Sequence, residues 1–376
     1  MASRAAIADV TASIIGACRQ GHPPDRLKAE VLTRLRRVLP VDAMWWATCD
    51  PSTLLFTQAF RVGLPDESIS YFVENEFRGS DVNQWTSLAR DRDGVTTLAK
   101  ITGGVLESSA RYRDVFQPMG LGDELRAVLR TGDSCWGLMC LHREAGRGFS
   151  AQEQQLIKTL APHLAEGLRA GLLRVGATET AAVDAPGLVV LDPFGELVAA
   201  TTPARAWFAE LARDPRSASP VPAEVCTAVG LLKHRADADP ASSPVPRLRV
   251  LTLAGRWAVL HASWLDDAAG QADAAGQIAV IIEPATPVEV AEVIMQAYGL
   301  TGRERAITKL ICQGHSTGQM SAQLSITTNT VQDHLKSIFD KTGVRSRREV
   351  MASILGDHYL PGIQQGRSID STGYFT

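Results

Sequence analysis

The chain has 376 residues, which corresponds to two to four domains at roughly 100 to 200 residues per domain. Its 45% hydrophobic and 21% charged residues are typical of globular proteins and exclude wholesale disorder, collagen and coiled-coil arrays. The 38 Lys and Arg residues against 41 Asp and Glu residues give a net charge of -3, so any surface for nucleic acid must be local. No apolar run approaches the roughly 18 residues of a membrane span, and we expect a soluble protein.

The six cysteines are scattered, with no C-x-x-C pair, and no secretory signal follows Met1. This pattern is typical of reduced thiols, so we expect a cytoplasmic protein. We predict no metal and no other cofactor. His142 with Cys140, or His261 with Cys226, are the alternatives for a metal or haem site.

Residues 1–175 alternate helical and strand patterns. Asp25–Leu39 is amphipathic, two strand-like runs flank Asp50-Pro51, and Ser150 with Glu153 predicts the start of a helix over 151–172. Residues 136–161 resemble the end of a GAF domain, which implies an α+β fold that holds a small ligand between sheet and helices. Aromatic residues at strand spacing either line such a cavity or fill the core. The candidate ligand-binding residues are Trp45, Trp46, Tyr71, Phe72, Trp85 and Trp136.

Residues 184–285 begin with the pattern strand, tight turn, strand, helix, and end with further strand patterns. Between them, 213–246 contains six prolines and is predicted to be a mostly irregular insertion, with a short helix at VCTAVGLLKH. Asp192, Phe194 and Gly195 fit the turn of a PAS sensor domain, which this segment resembles. Its apolar residues either enclose a ligand or form a core that transmits a conformational change.

Residues 295–356 carry three capping boxes, formed by Thr301 with Glu304, Ser316 with Gln319 and Ser346 with Glu349. Together with glycines at helix ends, they predict four short helices. The second and third helices are separated only by the turn 325–327, as in a helix-turn-helix, whose second helix enters the major groove of DNA. Residues 295–355 have eight Lys and Arg against four acids, so this segment has a net positive charge and the rest of the chain a net negative one. A local basic surface of this kind is typical of a segment that binds phosphate groups of nucleic acid.

The residues LTGRE at 300–304, STGQMSAQL at 316–324 and ITTNTVQDHLKSIFDKTGV at 326–344 resemble the LuxR-type helix-turn-helix. The resemblance implies a transcription regulator whose helix 330–342 reads DNA, and an internal pair between Glu304 and Arg347. A buried stripe of Val331, Leu335 and Ile338 would leave the opposite face free. The family commonly has Lys or Arg in place of Gln332, which weakens the expected phosphate affinity. The predicted DNA-binding residues are Asn329, Thr330, Gln332, Asp333, Lys336, Ser337, Lys341 and Arg345.

The predicted architecture is multidomain, with two α+β sensor domains (GAF-like, then PAS-like) followed by an all-α four-helix helix-turn-helix domain at 295–356 and a loosely ordered tail at 357–376. We expect a dimeric, sequence-specific regulator controlled by a small-molecule effector, with double-stranded DNA, a second copy and RNA polymerase as candidate partners. The alternative is a cytoplasmic sensor that acts through a protein partner with weak DNA contact. We predict no enzymatic activity, because the G-x-S-x-G sequence at 314–318 follows a helix and not the strand that a hydrolase requires.

Overall fold

The computed structural model describes residues 3–51, 53–65, 68–78, 81–174, 184–211, 220–238, 247–265 and 276–356. Two compact units divide the chain, the first extending to Pro284 and the second beginning at Ala285. The predicted tail 357–376 lies outside the described residues. Within the described ranges, no helix combines the length and the apolar character needed to cross a membrane.

An antiparallel five-stranded sheet in the order β2-β1-β5-β4-β3 forms the centre of the N-terminal part. Single helical turns also occur at Leu106–Ser108 and Tyr112–Phe116. The elements are α1 (Arg4–Cys18), α2 (Pro24–Leu35), β1 (Ala43–Cys49), β2 (Phe56–Val62), α3 (Ser68–Arg78), α4 (Trp85–Leu88), β3 (Val95–Thr97), α5 (Leu98–Ile101), β4 (Leu121–Thr131), β5 (Ser134–Glu144) and α6 (Ala151–Arg174).

Helix α6 packs on one face of this sheet. Its predicted start is confirmed, because the carboxylate of Glu153 accepts hydrogen bonds from the backbone and hydroxyl of Ser150. The close packing depends on Gly137 in β5, where an added Cβ would lie 2.6 Å from a methyl carbon of Leu168 and 2.9 Å from the carbonyl oxygen of Ala47. Glycine at this position therefore lets the long helix lie directly on the strands.

A second antiparallel sheet, in the order β7-β6-β10-β9-β8, packs its inner face against two helices. In the turn between β6 and β7, Asp192 Oδ1 accepts hydrogen bonds from the backbone of Phe194 (2.9 Å) and Glu196 (2.8 Å). The elements are β6 (Gly187–Leu191), β7 (Leu197–Ala200), α7 (Thr202–Leu211), α8 (Ala223–Ala238), β8 (Arg247–Leu251), β9 (Trp257–Trp264) and β10 (Ile278–Pro284).

Helix α8 confirms the helix predicted at VCTAVGLLKH and is longer than expected at both ends, whereas residues 213–219 and 239–246 lie outside the described residues. The helix spans 16 residues, because the prolines of 213–246 stand before Ala223 and after Ala238 and leave the intervening stretch free to form a helix. Val225, Ala228 and Val229 of α8 are buried in the core of the second sheet. The helix is thus a structural part of this half of the first unit.

The second unit is helical, and local side-chain caps define its helix starts. Thr301, Ser316, Thr327 and Ser346 each accept a hydrogen bond from a backbone amide three residues further along. A last helical turn follows at Ala352–Gly356. The helices are α9 (Pro287–Ala297), α10 (Gly302–Cys312), α11 (Thr317–Leu324), α12 (Thr328–Thr342) and α13 (Arg347–Met351).

Helix α9 belongs to this second unit, whereas the predicted domain began only at residue 295. Val290, Val293 and Ile294 of α9 are buried. On the surface, Glu292 pairs with Arg305 (2.9 Å) and Lys309 (2.8 Å) of α10. The start of the helix is fixed by Glu289, whose carboxylate accepts 2.8 Å hydrogen bonds from the backbone and hydroxyl of Thr286.

Candidate nucleic-acid interface and sensory site

The two faces of α12 differ sharply in exposure. Val331, Leu335 and Ile338 are buried, which confirms the predicted stripe. The opposite side presents exposed polar and charged side chains. They carry amide, carboxylate and ammonium groups, which differ in the hydrogen bonds that they can donate and accept. These exposed residues are Asn329, Gln332, Asp333, Lys336 and Asp340.

The turn from α11 to α12 presents the start of α12 to solvent. Ser325 takes the left-handed conformation (φ 52°, ψ 47°), and the Ser321 hydroxyl donates a 2.5 Å hydrogen bond to the carbonyl oxygen of Ile326. Thr327 then caps α12 by accepting from the backbone of Thr330 at 3.1 Å, and Asn329 follows in the exposed first turn. Backbone amides at a helix start favour an anionic group such as phosphate.

A buried carboxylate at the start of α10 fixes the other end of α12. Glu304 accepts hydrogen bonds from Ser337 Oγ and Lys341 Nζ, both at 2.7 Å, and from the backbone of Thr301 at 2.6 Å. Burial by itself would raise the pKa of Glu304, but the bonds from Lys341, Ser337 and Thr301 outweigh it and hold the pKa at about 2. Two of the predicted DNA-binding residues are therefore also structural partners of Glu304.

The implied pair between Glu304 and Arg347 is wrong. Arg347 donates instead to the Thr317 hydroxyl (2.6 Å) and to the carbonyl oxygen of His315 (3.4 Å). The reason is geometric, because the start of α10 lies against the last turns of α12 and its carboxylate meets Lys341 first. Arg347 anchors the start of α11.

The remaining predicted DNA-binding residues are accessible to different degrees. Thr330 is half-buried and shares a 2.8 Å hydrogen bond with the Thr327 hydroxyl, whereas Arg345 is exposed. Among the residues that the structure describes, neither Asp333 nor Lys336 takes part in an ion pair. Both side chains can therefore reach outward.

The aromatic candidates of the first sheet do not all share one face. Trp45 and Trp85 stack with their ring centroids 6.1 Å apart, Phe72 packs against Phe116 at 5.4 Å, and Tyr71 hydrogen-bonds to Asp114. Trp45 touches both core clusters on this side of the sheet. Trp46 follows Trp45 in β1 and therefore points to the opposite face. Trp136 is buried at the beginning of β5.

A buried ionic network that sequence analysis missed lies on the Trp45 face of the sheet, where the central carbon of the Arg126 guanidinium is 4.6 Å from the centroid of the Trp85 ring. Arg111 Nε and Nη2 donate to Glu124 Oε2 at 2.9 and 2.7 Å, and Arg126 Nε donates to Glu124 Oε1 at 3.0 Å. Arg126 also binds Glu76 at 2.9 Å, and Arg111 lies 3.2 Å from Asp81. Burial would raise the pKa of Glu124, but the two guanidinium groups hold it well below its usual range. The available signal was the presence of four charged residues in β4, Asp123, Glu124, Arg126 and Arg130, of which the first three are buried.

His142 and Cys140, the alternative metal pair of the sequence, lie beside this network. The ligand atoms of Glu124, Cys140 and His142 are all within 4.8 Å of one another, and neither ring nitrogen of the buried His142 has a hydrogen-bond partner. Burial lowers the pKa of His142 to about 4, which keeps its ring neutral. The fit to a metal ion is poor, because both oxygens of Glu124 already accept from guanidinium groups that would also repel a cation.

Comparison with known proteins identifies both ends of the chain. Residues 299–354 match the family model described as "Bacterial regulatory proteins, luxR family", and residues 25–168 match the GAF domain model. The spore germination protein GerE of Bacillus subtilis (strain 168) is 32% identical over 56 residues, which is 15% of this chain and 76% of that protein. The probable transcriptional regulatory protein SgaR of Hyphomicrobium methylovorum is 40% identical over 53 residues, 14% of this chain and only 25% of SgaR.

The N-terminal part is also similar to a solved GAF domain, that of a phosphoenolpyruvate-protein phosphotransferase (ptsP) from Coxiella burnetii. The sequences are 16% identical, the match covers 44% of this chain and 95% of the other, and the TM-score is 0.33. That score denotes a loose superposition. The GAF identity of the first sheet rests on the family model and not on this structure.

Proposed function

Because the chain belongs to the luxR family of bacterial regulatory proteins, we propose that it is a transcription regulator that binds double-stranded DNA sequence-specifically through α12. The observation that carries this proposal is the polar, exposed face of α12 opposite a fully buried stripe. A helix presented after a short capped turn can lie in the major groove. The cap at Thr327 and the αL turn at Ser325 support that presentation.

In this proposal, three side chains of α12 read base edges. Gln332 pairs with adenine, Lys336 with guanine, and the Asp333 carboxylate accepts from the amino group of cytosine. Asp333 also lowers affinity for DNA of any sequence, since it is repelled by phosphates. The amides at the start of α12, together with Arg345, contact the backbone of the duplex.

The regions that precede α9 act as sensors. The GAF match at 25–168 supports a sensory role for residues 1–175, and the Asp192 turn supports a PAS-like identity for residues 184–285. Residues 295–356, which lie within the unit that begins at Ala285, take the DNA-binding role. The protein acts as a homodimer on paired half-sites, and its affinity for DNA responds to an effector. RNA polymerase is its candidate partner at the promoter. The regulation requires no catalytic activity of the protein itself.

Selection from a library of random duplexes tests this function with the full-length protein. We expect enrichment of one motif by the native protein, loss of that enrichment in Lys336→Ala, and a binding constant that falls steeply with salt. If the native protein enriches no sequence, α12 is not a reading helix.

A second function, control of transcription through a protein partner, is supported by the acidic residues Asp333 and Asp340 on the exposed face of α12. It predicts weak binding to every duplex, whether or not Lys336 is changed. Selection and salt titration therefore separate the two functions. Under the first function the binding constant depends on the DNA sequence, whereas under the second function binding is weak and the same for every sequence.

A further inference from the structure

Two cysteine thiols lie side by side in the first sheet. Cys49 ends β1 and Cys135 is the second residue of β5, the neighbouring antiparallel strand. Their Sγ atoms are 3.4 Å apart, and Cys49 Sγ also lies 3.2 Å from the carbonyl oxygen of Cys135. Both side chains are buried, 1% and 5% exposed. The chain separation of 86 residues shows that the sheet, and not local sequence, brings these sulfurs together.

The two thiols differ in chemical character. The hydrogen bond from Cys49 lowers the pKa of Cys135, and the nearby positive charge of Arg130 adds to this effect. Burial raises the pKa of Cys49 well above its usual range. Cys135 is therefore the better thiolate, and thiolates are the nucleophilic form of cysteine. The raised pKa of Cys49 favours its protonated form.

We propose that Cys49 and Cys135 are a reversible redox pair that closes to a disulfide when the protein meets a peroxide. The Cys135 thiolate attacks a peroxide oxygen, the O–O bond breaks, and Cys135 becomes a sulfenic acid while the other oxygen leaves as hydroxide or alkoxide. The Cys49 thiol then loses its proton and attacks the Cys135 sulfur, which expels hydroxide. With hydrogen peroxide, two thiols and one peroxide give one disulfide and two waters.

The geometry requires little movement. A disulfide has an S–S length of about 2.05 Å, so the sulfurs must approach by somewhat more than ~1 Å in total. Cys135 lies next to the β4–β5 hairpin turn, where Gly132 and Asp133 are exposed, and is itself 5% exposed. Neither Cys226 nor Cys312 offers the same arrangement, since both are only partly buried and lie on helices.

The pair lies beside a contact between the two sheets of the first unit. Asp50, which directly follows Cys49, is buried and forms an ion pair with Arg249 of β8. Closure of the disulfide displaces Cys49 and so acts on the residue that holds this ion pair. The inference deepens the proposed function by naming an oxidant as a signal, and only its effect on DNA rests on that function.

The test begins with the full-length native protein, fully reduced and then treated with increasing hydrogen peroxide. After alkylation, the intact mass should show the loss of two hydrogens, and non-reducing peptide mapping should join the Cys49 and Cys135 peptides. Dithiothreitol should restore both thiols. If both cysteines remain open to alkylation after denaturation, or if Cys135 joins another cysteine, the proposal is overturned.

Variants define the order of the steps. Cys49→Ala should leave Cys135 as a sulfenic acid that the reagent dimedone traps. Cys135→Ala should give neither a disulfide nor a dimedone adduct at Cys49. The double variant Cys226→Ala/Cys312→Ala is the matched control and should form the disulfide as the native protein does. Equal dimedone labelling of Cys49 and Cys135 in the two single variants would contradict the assigned nucleophile. The native cross-link keeps the test decisive even if a buried substitution unfolds its variant.

DNA binding is measured separately on the oxidised and reduced native protein. A change in affinity that Cys49→Ala abolishes supports signalling by the pair. If the disulfide forms but the affinity is the same in both states, the role as a signal fails while the redox pair stands. If neither state binds any duplex, the proposed function fails and the chemistry of the pair is unaffected.

Discussion

Glu304 at the start of α10 and Lys341 near the end of α12 are joined by a 2.7 Å contact between carboxylate and ammonium groups. The carboxylate is buried, whereas the lysine side chain is about one-third exposed. Because Ser337 donates to the same carboxylate, the last turns of α12 are held against α10 by two side chains. This contact fixes the direction in which the exposed face of α12 points.

Replacement of Lys341 by methionine should destabilise the helical unit by about 1 to 3 kcal/mol, because it leaves the buried Glu304 carboxylate without its counter-charge. Urea unfolding, with hydrogen exchange of the α10 and α12 amides as the local probe, measures the effect. The double variant Glu304→Gln/Lys341→Met should recover part of the loss. A single variant as stable as the native protein would show that the ion pair contributes nothing.

Lys336→Ala should weaken binding to the selected duplex by about 1 to 3 kcal/mol if Lys336 contacts a base. The side chain is exposed, so the stability of the unit should not change. Fluorescence anisotropy between about 50 and 200 mM salt gives both the affinity and its salt slope. Lys158→Ala removes the same charge from α6 and should bind like the native protein. Unchanged affinity of Lys336→Ala across this range means that Lys336 does not face DNA.

Asp333→Asn should raise the affinity for duplexes of random sequence, because a carboxylate close to phosphates repels them. The gain should shrink as salt is added. Asp93→Asn, which removes one negative charge from the first unit, is the control and should leave the affinity unaltered. A non-specific affinity of Asp333→Asn equal to or lower than the native value would count against a groove-facing Asp333.

His142 should make the first unit lose stability in mild acid. Burial lowers the pKa of the folded protein's His142 from 6.5 to about 4. The stabilising effect of the neutral ring is complete above pH 6.5 and is lost as the pH falls towards 4, since only the unfolded chain binds the proton in that window. The loss amounts to roughly 3 kcal/mol at about 1.4 kcal/mol per pKa unit. Urea unfolding of His142→Gln should show a flatter pH dependence than the native protein, and equal slopes would contradict this assignment.

A flexible Gly/Ser insertion between Pro284 and Ala285 should leave both units folded and remove the effect of a signal on DNA affinity. The site precedes the Thr286 cap, so α9 keeps its packing within the second unit. The same insertion after Met295 is the comparison and should destabilise the second unit, because it interrupts the buried face of α9. If a signal still alters DNA affinity after insertion at 284, the connection between the units does not transmit it.

Features that depend on neighbours along the chain could be predicted from the sequence. The stripe Val331, Leu335, Ile338 follows from helical periodicity, and the caps at Thr301 and Ser316 follow from a hydroxyl placed three residues before Glu or Gln. These interactions lie within one or two helical turns, so their geometry is set by local backbone structure.

Features that depend on tertiary contacts could not be predicted in this way. The partner of Glu304 lies 37 residues away, and Arg111 meets Asp81 across a separation of 30 residues. Sequence alone shows that a charge is present and not which group neutralises it. The opposite orientations of Trp45 and Trp46, in contrast, follow from the alternation of side chains along a strand. The prediction that both residues line one cavity did not take this alternation into account.

The cap formed by Thr286 and Glu289 gives the C-terminal unit its own beginning. A gene fusion made at residue 285 would carry α9 together with the contacts of Glu292 to Arg305 and Lys309. A fusion made at Gly299, where the luxR family match begins, would expose the apolar residues that α9 normally covers and leave those two cations unpaired by Glu292. A DNA-binding segment that is exchanged between regulators should therefore include α9, which precedes the residues matched by the family model.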